Sequence, residues 1–268
     1  MPHLDQRFDV TRPELPKIMV APNGARRGYK DHPSLPVTDD DIVATAQACF
    51  AAGADGIHLH IRDENGLHLL DAGRYRALLD RLRDAVPDIY LQVTSEAAGR
   101  YDTATQQQVV RTLRPEHVSV AMREMVRDPA DWPDATAFYE WAADANVSVQ
   151  HIVYAPDELD QFIAACNAGR IPGKHHLMQL VLGTYDGTQI SQPSALKQFI
   201  DRMTKSDMEF DWMLCAFGKE ETDCLAEAAR LGGKARVGFE NSLWHADGSL
   251  ADDNAARVRT VHDLIQAL

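Results

Sequence analysis

The feature that most constrains the fold of this chain is a repeat: eight short apolar runs, each followed by a segment with helical periodicity. The runs are Lys17–Ala21, Gly56–Ile61, Ile89–Thr94, Val118–Ala121, Val147–Tyr154, His176–Leu182, Trp212–Phe217 and Ala235–Phe239. The first intervening helix opens on Thr38-Asp39-Asp40-Asp41, an N-cap with an acid three residues on, and carries Ile42, Val43, Ala46, Cys49 and Phe50 at helical spacing until Gly53 ends it. The others centre on Tyr75–Leu82, Ala104–Leu113, Ala135–Ala145, Leu159–Ala168, Ser194–Met203, Thr222–Leu231 and Asn254–Ala267. The strand segments read as apolar runs rather than half-polar alternations, as expected of parallel strands covered on both faces. Linkers are short, with no low-complexity stretch or compositional break, so the 268 residues predict one α/β domain over 1–268, a single (β/α)8 TIM barrel.

That fold tells where to look for chemistry, because barrel enzymes place their sites on the loops at the carboxyl ends of the strands. Those ends gather Asn23, Arg26 and Arg27 after the first strand, His58, His60, Arg62 and Asp63 after the second, and Thr94, Ser95 and Glu96 after the third. The fourth adds Ser119, Arg123 and Glu124, the fifth Gln150, His151 and Tyr154, and the sixth Gly183, Thr184 and Tyr185. Lys219 and Glu220 follow the seventh; Arg236, Glu240 and Asn241 belong to the eighth. Gly232-Gly233-Lys234 precedes the eighth strand and reads as a helix cap on the opposite face, not a phosphate cradle.

The run Gly56-Ile57-His58-Leu59-His60-Ile61 alternates, so its two imidazoles share one face. Two histidines at that spacing can share a metal ion, and they can equally be hydrogen-bonded histidines lining the barrel mouth. Glu240 is the natural third ligand, since the eighth strand closes beside the first and the first pairs with the second; a salt bridge to Arg236, four residues earlier, is its other expected use.

With 27 lysines and arginines against 40 acids, a net charge of −13, the chain is not built for nucleic acid or an anionic membrane surface. No segment approaches the roughly 18 unbroken apolar residues of a membrane span. Met1-Pro2-His3-Leu4-Asp5-Gln6-Arg7 has no signal-peptide pattern, and a cytoplasmic enzyme is expected. Cys49, Cys166, Cys215 and Cys224 lie apart within apolar segments, as buried thiols of a reducing compartment do. Cys215, on a strand near the expected site, is the one nearest to any chemistry.

Several stretches together resemble a known family: Val20-Ala21-Pro22-Asn23-Gly24-Ala25-Arg26-Arg27, Asp31-His32-Pro33-Ser34-Leu35-Pro36-Val37-Thr38, His58-Leu59-His60-Ile61-Arg62-Asp63, Gln92-Val93-Thr94 and Arg236-Val237-Gly238-Phe239-Glu240-Asn241. They are similar, in this order, to the β-keto acid cleavage enzymes. The resemblance implies a zinc-dependent barrel, commonly a homotetramer, that condenses a β-keto acid with acetyl-CoA and cleaves the adduct to acetoacetate and a new acyl-CoA. It implies His58, His60 and Glu240 as Zn2+ ligands, Arg236 as the arginine beside the reacting carbon, and Thr94 and Ser119 as substrate-pocket hydroxyls.

Two departures carry information. The family motif often continues from the glutamate into aspartate, where this chain has Asn241, and an amide accepts no proton at neutral pH. The base is then Glu96, Glu124, Glu220 or a zinc-bound hydroxide. Where relatives acting on aminated keto acids carry acids after the first and fifth strands, this chain offers Arg26, Arg27 and Gln150, predicting a substrate with a second anionic or strongly polar group. Pairing of the two arginines with Asp31 and Asp39 is the competing expectation. Trp244 and Lys219 are candidates to meet coenzyme A at the mouth, and His151 and Tyr154 could border it. A zinc hydrolase of amidohydrolase type and a catalytically silent metal-binding barrel are the other readings; only the first reading requires acetyl-CoA.

Overall fold

A computed structural model describes residues 13–268; the amino-terminal heptapeptide lies outside the described residues. Eight parallel strands close into a barrel: β1 (Ile18–Val20), β2 (Gly56–Leu59), β5 (Tyr90–Thr94), β6 (His117–Ala121), β7 (Ser148–Val153), β8 (His175–Leu182), β9 (Glu209–Ala216) and β10 (Lys234–Val237). β10 returns beside β1 with Met19 in register with Arg236, and β1 pairs with β2, so the first and last strands flank one another as barrel closure requires. The outer layer is α1 (Asp39–Ala51), α2 (Ala72–Ala85), α3 (Thr103–Leu113), α5 (Trp132–Asp144), α6 (Pro156–Asn167), α7 (Leu196–Lys205), α8 (Glu221–Arg230) and α9 (Asn254–Gln266), with a short extra turn, α4 (Met122–Met125), after β6. Thr38 and Asp41 form the expected capping box on α1, and Asp71, Asp102 and Asp253 cap α2, α3 and α9. Among the described residues no helix is long and apolar enough to cross a membrane.

Two local differences from the sequence reading matter for the site. The histidine strand stops at Leu59; Ile61–Arg62 (β3) instead pairs antiparallel with His68–Leu69 (β4), making a small hairpin over the mouth. Asp63 holds its turn by accepting the amides of Asn65 and Leu67. β10 ends at Val237 because Gly238 takes φ +140°, and a β-carbon there would come within 2.5 Å of the Ala21 carbonyl oxygen. That turn carries Glu240 back toward β1, where its amide bonds the same carbonyl at 3.0 Å.

The barrel interior is layered. Met19, Leu177 and Met213 form an apolar cluster with Leu15. Three fully buried glutamines, Gln92, Gln150 and Gln179, are hydrogen-bonded to one another or to strand carbonyls. His58 sits in register with Gln92, which ties this glutamine set to the site.

Candidate functional site

At the carboxyl ends of the strands is a cleft of about 570 Å³ whose walls include His58, His60, Thr94, Glu96, Arg236 and Glu240. His58, His60 and Glu240 come together as the closure of β10 on β1 predicts: their ligand atoms all lie within 4.8 Å of one another. The two Nε2 atoms are 3.1 Å apart, and Glu240 Oε2 is 3.8 Å from that of His58 and 3.7 Å from that of His60.

Hydrogen bonds behind the rings fix what these atoms are. Gln150 donates to the Met178 carbonyl and accepts from Gln92, so the Gln92 oxygen faces His58 Nδ1 at 2.8 Å and that nitrogen must carry the proton. His68, delivered by the hairpin, donates its Nε2–H to the Glu96 carbonyl at 2.9 Å, which leaves its Nδ1 to accept from His60 Nδ1 at 3.4 Å. Both Nε2 atoms therefore present lone pairs, facing one another. Burial and the charge of Arg236 push His58 down to about 4, and burial drives His60 well below its usual range, so neither ring charges at neutral pH. Glu240 Oε2 is buried without a hydrogen-bond partner, while Oε1 takes a 3.1 Å ion pair from Arg236. Burial opposes its charge, yet Arg236, with Arg26 and Arg27 farther off, holds its carboxyl below the usual range. Two neutral imidazole lone pairs and an orphaned carboxylate oxygen fit a divalent cation, and the cleft leaves one side of the cluster open. The two expected uses of Glu240 are thus realised together, one on each oxygen.

The remaining sequence-selected residues divide by what they touch. Thr94 lines the cleft, and its hydroxyl accepts the Glu96 amide at 3.0 Å. Arg26 lines it too, paired with Glu96 at 2.9 Å and lying 5.3 Å from the Tyr185 ring centroid, not with Asp31 or Asp39. Arg27 does not line the cleft; it donates to the carbonyls of Phe239 and Glu240 and braces the ligand loop. Asn23 is buried beneath, donating to the carbonyls of Pro36 and His60. Ser119 is buried beside Thr94 in register, and Gln150 acts through Gln92; neither lines the cleft. Asn241 is fully buried and donates to Cys215 Sγ at 2.8 Å, and Arg236 approaches the same sulfur at 3.3 Å. Burial raises that thiol to about 11, so it stands as a neutral partner. Arg62 clamps the loop after β1 by donating to the carbonyls of Asn23, Gly24 and Arg27.

Tyr154 lines the cleft under Arg123, which pairs with Glu158, whereas His151 packs outside the barrel against Tyr139 and Phe162. Lys219 and Trp244 meet, 5.7 Å from nitrogen to ring centroid, outside the cleft lining. Sequence reasoning missed His68; the Asp63-Glu64-Asn65-Gly66 turn between two short apolar stretches was the available signal for its hairpin.

Comparison with known proteins identifies the lineage. A family model described as beta-keto acid cleavage enzyme matches residues 17–268. The chain belongs to the beta-keto acid cleavage enzyme family. It is 26% identical over 254 residues to 3-oxoadipate:acetyl-CoA acetyltransferase of Cupriavidus necator, covering 93% of this chain and 88% of that protein. It is also 26% identical over 263 residues to 3-keto-5-aminohexanoate cleavage enzyme of Fusobacterium nucleatum, covering 94% and 91%. Among solved structures, a ternary complex of ObcA with a C4-CoA adduct and oxalate superposes with a TM-score of 0.68 at 17% identity, a likeness of fold covering 88% of this chain. The chain spans 64% of the length of ObcA. The matched span of this family member contains His58, His60, Arg236, Glu240 and Asn241.

Proposed function

We propose that this family member is a zinc-dependent transferase that condenses a β-keto acid with acetyl-CoA and cleaves the adduct to acetoacetate and a new acyl-CoA. The observation that carries this reading is the meeting of two imidazole lone pairs and an unpartnered carboxylate oxygen at the floor of an open cleft. His58, His60 and Glu240 would hold the ion. Bound zinc supplies Lewis-acid stabilisation of the negative charge that develops when a β-keto acid becomes its enolate, worth several kcal/mol.

The protein's own groups supply the rest. Arg236, buried and held in its charged form by Cys215 and Glu240 against the cost of burial, presents a fixed cation to the substrate's carboxylate or enolate oxygen. Arg26 at the rim favours a keto acid with a second anionic group, a reading supported by a relative whose name carries 3-oxoadipate, a dianion. Cytoplasmic location and a homotetramer complete the proposal, the latter tested by sedimentation.

Mass-spectrometric detection of acetoacetate and acyl-CoA from zinc-loaded protein, given acetyl-CoA and cationic, neutral and anionic β-keto acids, tests the chemistry. Product should require acetyl-CoA, vanish in His58→Ala, and form fastest with the anionic substrates. Arg26→Glu should lose turnover on these and gain it on an aminated keto acid; unchanged selectivity would remove Arg26 from substrate choice. Absence of product across the panel from protein holding one zinc would refute the transferase reading.

A further inference from the structure

The transferase reading needs a proton acceptor, and Asn241 provides none: its amide is buried against Cys215. Of the other bases the sequence offers, Glu124 takes the Ala97 amide and the Gln106 side chain on Oε2 and does not line the cleft, and Glu220 lies near Gly218, also outside the cleft lining. Four carboxylates do line the cleft: Glu96, Glu158, Asp186 and Glu240. Glu158 spends one oxygen on Arg123 and the other on the Tyr154 amide. Asp186 closes its own exposed turn with Thr188. Glu240 is divided between Arg236 and the histidine pair.

Glu96 differs from Glu158 and Asp186 in having an oxygen turned to the histidine pair, and from Glu240 in lying outside the three-residue ligand cluster. Its segment is pinned on every side: the amide to Thr94 Oγ1 at 3.0 Å, the carbonyl to His68 at 2.9 Å, and Oε1 to Arg26 at 2.9 Å. Next door, the Ser95 hydroxyl bonds the Ser119 carbonyl at 2.8 Å and Gln106 bonds the Ser95 carbonyl at 2.6 Å. The remaining carboxylate oxygen, Oε2, faces inward and lies 3.8 Å from His60 Nε2. His58, His60, Arg236, Arg26 and Glu96 line one cleft, so a keto acid seated against the first three would lie beside this oxygen.

We propose that Glu96 is the general base of this enzyme, standing in for the acid missing at Asn241. Resting on the transferase reading, the step is a single proton transfer. The C–H bond of the carbon between ketone and carboxylate breaks, an O–H bond forms on Glu96 Oε2, and the electron pair passes into the ketone as the enolate. The same proton is available later to the departing acetoacetate carbon, so the carboxylate is regenerated without a co-reactant. Arg26 neutralises the other oxygen at the exposed rim, while the main-chain bonds of residue 96 to Thr94 and His68 hold its place.

The test separates proton removal from the full reaction. Zinc-loaded wild type is incubated with 3-oxoadipate in D2O without acetyl-CoA, and deuterium entry at the carbon between ketone and carboxylate is followed by NMR above the buffer rate. In Glu96→Gln, exchange should fall by about 100-fold or more while zinc content and the calorimetric Kd for 3-oxoadipate change by less than about threefold. Glu96→Asp should recover part of the exchange. Exchange in Glu96→Gln at the wild-type rate overturns the proposal, and so does loss of zinc from that variant, which would make Glu96 a ligand. If wild type makes acetoacetate without exchanging, the same loss is read in single-turnover acetoacetate formation. A wild type that neither exchanges nor makes acetoacetate removes the transferase reading and this role with it.

Discussion

At the scale of single residues, the site depends on groups that never touch a ligand. Gln92 is the clearest case, since its carbonyl oxygen decides which nitrogen of His58 is left to bind. Gln92→Leu keeps the volume and removes the acceptor, so zinc affinity should drop by about 10- to 100-fold, measured against a competing chelator. Thermal stability should fall as well, by about 1–3 kcal/mol, because the Gln150 oxygen loses the amide it accepts and the His58 Nδ1 proton loses its acceptor, both in the interior. This role was not legible in the sequence: Gln92 reads as one polar residue in an apolar run, and the ring it orients is known only from the register of β2 on β5. Glu240 was legible, because barrel closure alone brings the end of β10 to β1 and β2. Glu96 was legible only as one of several acids at strand ends, and choosing among them required seeing where each oxygen is spent. Asn23, Arg27 and Arg62 were legible as polar residues at strand ends, but not as braces, since their partners are backbone carbonyls, which leave no trace in side-chain identity.

At the scale of elements, the eight strand-helix units were legible because period and length agree in every unit, and the hairpin of β3 and β4 was not, because two-residue strands carry no period. The last helices are joined by a feature of another kind: Arg257 in α9 pairs with Glu221 in α8 at 2.6 Å, both fully buried, and also bonds Thr222 at 2.9 Å. Burial raises Glu221 to about 7 against the pull of Arg257. Arg257→Leu strands an acid in the interior and should cost about 3–5 kcal/mol in urea unfolding. Adding Glu221→Leu should recover most of that loss; a double variant no better than the single one would show that the arginine acts mainly by packing.

At the scale of the whole molecule, acid sensitivity follows from histidines buried away from the site. His176 packs among Phe162, His151 and Phe210, and burial lowers it to about 4 from an ordinary value of 6.5; burial drives His151 well below its usual range as well. Between those limits the unfolded chain binds a proton that folded His176 refuses, so the stability this group contributes is full above about 6.5 and drains away as pH falls toward 4. Metal-free protein should therefore melt at progressively lower temperature over that interval. His176→Phe should make the decline shallower by up to about 1.4 kcal/mol per pH unit; an unchanged slope would place the titration elsewhere. The guanidinium of Arg62 has a different reach, for it grips three carbonyls of the segment from Asn23 to Arg27 that carries the rim arginine, Arg26. Its hold is on main chain and indifferent to side chains. The segment therefore behaves as a socket with a fixed frame, in which the residue at position 26 can be exchanged, and the preferred acid retuned, while the histidine pair stays where it is.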